Sequence, residues 1–156
     1  MYDLRVPTVQ LEAEVRFVDG TILEGTIYMP TVSAVRAGPM LLQEWINGPP
    51  LFFPLRLHQA PSAILVNKRQ VLSLCVPTAG REDEPSWESA SVVLRVLIET
   101  GNERLEGEVV IDMPQDQRRL ADYLNRPEAF LLLQSGERQY LIQKDRISRV
   151  SEVLET

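Results

Sequence analysis

The chain has 156 residues, 44% of them apolar and 24% charged, with a formal charge of −6. This is the composition of a folded globular protein, and it excludes a disordered chain or a collagen-like repeat. A single cysteine, Cys75, excludes an intrachain disulfide, and no run approaches the roughly 18 apolar residues of a membrane-crossing helix.

Met1-Tyr2-Asp3-Leu4-Arg5 lacks the basic start of a secretion signal, so a cytoplasmic protein without membrane association is expected. Further along, Ala13, Val15 and Phe17 alternate with Glu12, Glu14 and Arg16, a period of two that puts the apolar set on one face of a strand. Asp19-Gly20 predicts a tight hairpin with positive φ at both central positions. A second strand through Ile22 to Met29 contains Gly25. Thr31 to Leu41 is a long segment, followed by an aromatic-aliphatic-Asn stretch ending at Asn47 and by apolar strands up to Cys75. Pro77 to Ser86, polar, acidic and bracketed by prolines, reads as a solvated linker.

Beyond the linker the same text returns. Leu42 to Leu55 aligns without gaps on Leu120 to Leu133, with leucine, acid, aromatic, aliphatic, Asn, Pro and Phe in one order. Leu23-Glu24-Gly25 and Met29-Pro30 recur as Leu105-Glu106-Gly107 and Met113-Pro114; Ile64 to Lys68 recurs as Tyr140 to Lys144. Such self-similarity marks a duplicated structural unit. In the second copy, Leu94, Val96 and Ile98 form the inward face of a strand that turns at Thr100-Gly101-Asn102 into Arg104 to Met113. Val93 and Leu97 make that first strand apolar on both sides, so a covering partner is expected. Asp116 would cap a short helix carrying Leu120, Tyr123 and Leu124 on one face, stopped by Asn125 and Pro127. Ala129 to Gln134, Tyr140 to Gln143 and Ile147 to Val150 follow as strands, with Ser135-Gly136-Glu137 as a turn. The expectation is a mainly β protein of two tandem five-stranded small barrels, each with a short helix between its second and third strands. Residues 1–76 form the first repeat, 77–90 the linker and 91–156 the second repeat.

Val15 to Gly25, with its Asp19-Gly20 turn and a glycine five residues later, resembles the first half of the Sm1 motif of Sm-like (LSm-type, SH3-like barrel) proteins. Ile64 to Val71 and Tyr140 to Ile147 lie where the Sm2 motif would. With Met-Pro, the Asn-ended helix and the final Asn-Lys or Gln-Lys, the pattern is similar to an uncharacterised bacterial Sm-like family. Gly20, Gly25, Gly101, Gly107, Asn47 and Asn125 are its structural positions. Sm-like proteins that bind RNA grip a base with an Asp-Asn pair and an Arg-Gly pair, and neither pair is intact here. The resemblance therefore implies a fold and no activity.

Chemistry is sparse. His58 is the only histidine, so neither a two-histidine metal site nor a Ser-His-Asp triad is available, and His58 and Cys75 read as a loop histidine and a buried thiol. Without a Walker loop or dinucleotide fingerprint, no enzyme, metal or cofactor is expected. The acidic residues Glu82 to Glu84, Glu103, Glu106 and Glu108 read as solvated. Candidate ligand or RNA contacts are Asn67, Lys68, Gln143, Lys144, Arg146 and Arg149, together with Arg118-Arg119, although net acidity opposes phosphate binding. The paired Lys68 and Lys144 serve either a turn that bonds its own backbone or a ligand. Three functions follow: a non-catalytic scaffold forming homo-oligomers through barrel edges, with three chains making a pseudo-sixfold ring; a single-stranded RNA or nucleotide binder; or an adaptor holding protein partners in bacterial signalling or motility.

Overall fold

A computed structural model describes residues 8–33, 37–60, 62–77, 92–111 and 120–154. The predicted linker, from residue 78, lies outside them, as do Met113, Pro114, Asp116 and Arg118-Arg119. The alternating segment forms β1 (Thr8–Phe17), which turns into β2 (Ile22–Pro30). A short helix, α1 (Leu42–Ile46), precedes β3 (Phe52–Leu57) and β4 (Ala63–Asn67); a one-turn 3-10 helix, Lys68–Gln70, leads into β5 (Val71–Pro77). The second half repeats the order as β6 (Val92–Thr100), β7 (Arg104–Ile111), α2 (Leu120–Leu124), β8 (Phe130–Ser135), β9 (Arg138–Gln143), the 3-10 turn Lys144–Arg146 and β10 (Ile147–Glu152).

The first hairpin departs from the expected turn. Gly20 has φ +94°, and among the described residues no other residue type has positive φ, so Asp19 does not share the left-handed conformation. Two hydrogen bonds span the loop instead: Phe17 N–H donates to the Thr21 carbonyl at 2.8 Å and Gly20 N–H to the Phe17 carbonyl at 3.0 Å. The Asp19 carboxylate accepts the Thr21 N–H at 2.9 Å. This loop needs positive φ only at its last position, which Gly supplies without strain. The same hydrogen bonding holds the Asp19 carboxyl below its ordinary pKa.

The expectation of two closed barrels is corrected. Among the described residues, ten strands belong to one open antiparallel sheet, ordered β10-β6-β7-β8-β9-β5-β1-β2-β3-β4. Closure would need β5 to pair with β4 and β10 to pair with β9; instead β5, already paired with β1, and β9, already paired with β8, pair with each other. The edge hydrogen bonds of one half are thus satisfied by the other half rather than by closure.

The two halves nonetheless share their registers. Ala13 faces Gly25 as Val96 faces Gly107, and Phe53 faces Val66 as Leu131 faces Ile142. Val15 faces Leu74 as Ile98 faces Val150, and both β1–β5 and β10–β6 carry an irregularity one step later, skipping Leu72 and Ser148. Each half curls over its own apolar core. The first gathers Val15, Ile27, Leu42, Ile46, Leu55 and Leu74; the second gathers Val96, Ile98, Val109, Ile111, Leu133 and Ile142. Leu120, Tyr123 and Leu124 of α2 pack on the second core, as their spacing predicts. On the opposite face of β6, Leu97 is half-buried and Val93 is exposed.

The curl depends on two glycines. A Cβ at Gly25 would lie 2.3 Å from the Arg56 carbonyl oxygen, and one at Gly107 would lie 2.4 Å from that of Gln134. These are main-chain atoms of the neighbouring strand, which cannot move aside as a side chain can. Gly25→Ala or Gly107→Ala should therefore lower the unfolding free energy by about 2–3 kcal/mol in urea titrations. Gly101→Ala, with nothing within 4 Å of the added carbon and no positive φ, should change it by less than about 0.5 kcal/mol.

Candidate self-association edges

The junction between the halves is built from backbone outward. Five pairs, Ser73–Ile142 to Pro77–Arg138, join β5 to β9. Ser73, Leu74, Cys75 and Val76 are buried in succession, so β5 is covered on both faces. Phe130, Leu132 and Leu141 of the second half are buried in the first half's core. Two amide side chains cross the boundary. Gln143 Nε2 donates to the Val71 carbonyl at 2.6 Å and to those of Lys68 and Arg69 at 3.2 Å each. Asn47, just after α1, accepts the Phe130 N–H at 2.8 Å and donates to the Phe130 carbonyl at 3.3 Å. An ion pair between Arg16 and Glu103 adds to the contact.

The lysines flagged by the repeat have one shared role. Lys68 Nζ donates to the Gly48 carbonyl and Lys144 Nζ to the Arg126 carbonyl, each at 3.1 Å, so each ammonium ties the end of its half's helix to the 3-10 turn. Their main-chain N–H groups likewise match, Lys68 to the Leu51 carbonyl at 2.9 Å and Lys144 to that of Ala129 at 2.8 Å. Burial lowers both lysine pKa values; for Lys144 the nearby Glu128 opposes that shift and Arg126 adds to it. Asn67 uses its shorter side chain locally, accepting the Arg69 N–H at 2.9 Å, whereas Gln143, one methylene longer, reaches the other half.

The other sequence candidates do not converge on a ligand. Arg149 pairs with Glu99, at 3.0 Å from Nε, and Arg146 lies exposed beside Asp145. His58 pairs with Glu12, and Cys75 is a buried thiol approached by the Arg138 guanidinium at 3.7 Å. Among the described residues no group of three or more His, Cys, Asp or Glu side chains is placed to hold a metal, and no helix is long and apolar enough to cross a membrane. A cavity of about 300 Å³ sits at the junction, lined by Glu44, Asn47, Glu108, Tyr123, Arg126 and Lys144 among others.

What the residue-by-residue reading missed is at the two ends of the sheet. β4 and β10 are its outermost strands, and they are the counterparts of β9 and β5, the strands joined in the middle. On the β4 side, Phe52 is 49% and Leu65 71% exposed; their counterparts Phe130 and Leu141, at 5% and 0%, are the residues buried across the internal junction. The available signal was parity. Phe53, Leu55 and Val66 already fill the inward face, so apolar residues at the alternate positions point to a second covered surface.

A search of protein families, curated proteins and solved structures finds no match to this chain.

Two outcomes test the junction. Asn47→Ala leaves the buried Phe130 amide without its partner and should cost about 1–3 kcal/mol in chemical denaturation. Lys68→Met should cost about 1–2 kcal/mol near neutral pH through the lost hydrogen bond. It should also flatten an alkaline trend. With the folded-state pKa of Lys68 lowered, the unfolded chain binds more protons between that value and the ordinary lysine value. Stability contributed by this group then rises with pH across that window, and the rise should be smaller in Lys68→Met than in the wild type.

Proposed function

We propose that the protein is a non-catalytic scaffold that assembles head to tail, β10 of one copy pairing with β4 of the next. The observation that carries this reading is the internal β5–β9 junction, which joins the same two kinds of strand. Transferring its register through the repeat sets Val150 opposite Leu65, as Leu74 is opposite Leu141, and Ser151 opposite Ile64, as Cys75 is opposite Tyr140. Such an arrangement gives every outer strand a backbone partner and covers Phe52 and Leu65, each worth about 1.5–3 kcal/mol on full burial. Because the contact is heterologous, an open string of copies keeps one free edge of each kind until a ring closes. Three chains would place six repeats around such a ring, in line with the Sm-like resemblance of the Asp19-Gly20 turn and the strand-bending glycines.

The open junction is more polar than the internal one. β10 presents Arg149 and Glu152 where β5 has Ser73 and Val76. A reversible, concentration-dependent assembly is the consequence. Single-stranded RNA binding has less support, because the chain is net acidic and both repeated lysines are engaged with backbone carbonyls.

Light scattering across a dilution series should show a mass above the monomer that falls on dilution; a strictly monomeric mass into the high micromolar range would contradict the proposal. Leu65→Asp, at an exposed position, should fold normally and weaken assembly by at least 100-fold, since about 2 kcal/mol of apolar burial is lost and a charge is desolvated. It keeps an intact β10, so an excess of this variant should cap wild-type assemblies and shorten them.

A further inference from the structure

We propose that Asn125 is the latch of the open junction: its side-chain amide closes on the main-chain N–H and C=O of Phe52 in a second copy of this chain. The proposal rests on the self-association reading and deepens it by naming the residue that fixes the partner's position.

The internal junction supplies the geometry. A primary amide offers the same donor and acceptor as a peptide group, so Asn47 behaves as an additional rung on the backbone of Phe130, with its Oδ1 on the N–H and its Nδ2 on the C=O. Asn125 holds the corresponding place in the second half. Both asparagines follow a five-residue helix, and both donate their main-chain N–H four residues back, Asn47 to Gln43 at 3.2 Å and Asn125 to Ala121 at 3.0 Å. In each case the carbonyl of the next residue is held by the repeated lysine. Asn125 differs in being exposed, and its side chain makes no hydrogen bond among the described residues.

The receiving group is equally well defined. Lys68 N–H bonds to Leu51, flanking the Phe52–Asn67 pair, just as Lys144 N–H bonds to Ala129, flanking Phe130–Gln143. In an antiparallel ladder this makes Phe52 and Asn67 a non-hydrogen-bonded pair, so the N–H and C=O of Phe52 turn away from β4. On that other side, β2 pairs with β3 only at Gly25–Leu57 and Thr26–Arg56, further along the strand. The Phe130 peptide groups, in the same orientation, are the ones Asn47 takes. Burying Phe52 and Leu65 under a second copy would remove water from the Phe52 peptide, and a buried peptide group without a partner is costly. Asn125 is placed by the repeat to be that partner.

Sedimentation over a concentration series, with amide hydrogen exchange at Phe52, tests the latch in the full chain. Asn125→Ala should leave the monomer's thermal stability unchanged and weaken each junction by about 10- to 100-fold, the scale of two lost hydrogen bonds. The Phe52 amide should be protected in assembled wild type and exchange freely in the assembled variant at high concentration. If Asn125→Ala assembles as tightly as wild type with Phe52 equally protected, the latch is overturned while self-association stands. A wild type that never leaves the monomer overturns self-association itself, and the latch with it.

Discussion

Backbone pairing between β5 and β9 is the interaction on which the rest of this molecule depends. Four consecutive buried residues on β5 leave its main-chain groups no access to water, so each N–H and C=O needs a protein partner. The first half cannot provide all of them, because β1 occupies only one side of β5. The second half completes the set, and in doing so converts two short curled sheets into one. Side chains reinforce that ladder at its Ser73–Ile142 end. Gln143 collects three carbonyls around the start of β5, and Asn47 grips the start of β8.

A duplicated unit that uses opposite edges to join its two copies must leave one edge of each kind open. That is a consequence of topology, independent of the side chains. What the side chains decide is the chemical character of those edges. Phe52 and Leu65 keep the apolar character of an interface, whereas Arg149 and Glu152 on β10 moderate it, in the manner of charged edge strands that limit uncontrolled pairing. The internal junction is permanent because its two strands share a chain; the external one that we propose would depend on concentration.

Much of this organisation was legible in the sequence. The repeated Leu-acid-aromatic-aliphatic-Asn stretch predicted two equivalent halves, and the registers around Gly25 and Gly107 agree pair for pair. The recurrence of Lys68 and Lys144 pointed to one structural role, now seen as a tie to the end of each helix. Closure was not legible. Alternation identifies which face of a strand is buried, and turn residues identify which strands are sequential neighbours, but neither says whether a fifth strand returns to its own sheet or crosses to another. The hairpin at Asp19 shows the same limit on a smaller scale: Asp-Gly is compatible with several loops, and the bonds from Phe17 and Gly20 select one with positive φ at Gly20 alone. Phe52 and Leu65 passed unnoticed because a single exposed apolar residue carries little information until its buried counterpart in the other repeat is known.

The register of the open junction is the most direct point at which to test the account. In a Cys75→Ser background, cysteines replacing Leu65 and Val150 should form an intermolecular disulfide, since directly opposed residues of an antiparallel pair lie within its roughly 4.4–6.8 Å Cα range. Oxidised at micromolar concentration, this protein should run as a series of covalent multimers on a non-reducing gel. Moving the second cysteine from Val150 to Leu154 should abolish the series. Absence of cross-linking in the Leu65–Val150 protein, or equal cross-linking from both positions, would contradict head-to-tail pairing in the register of the internal junction.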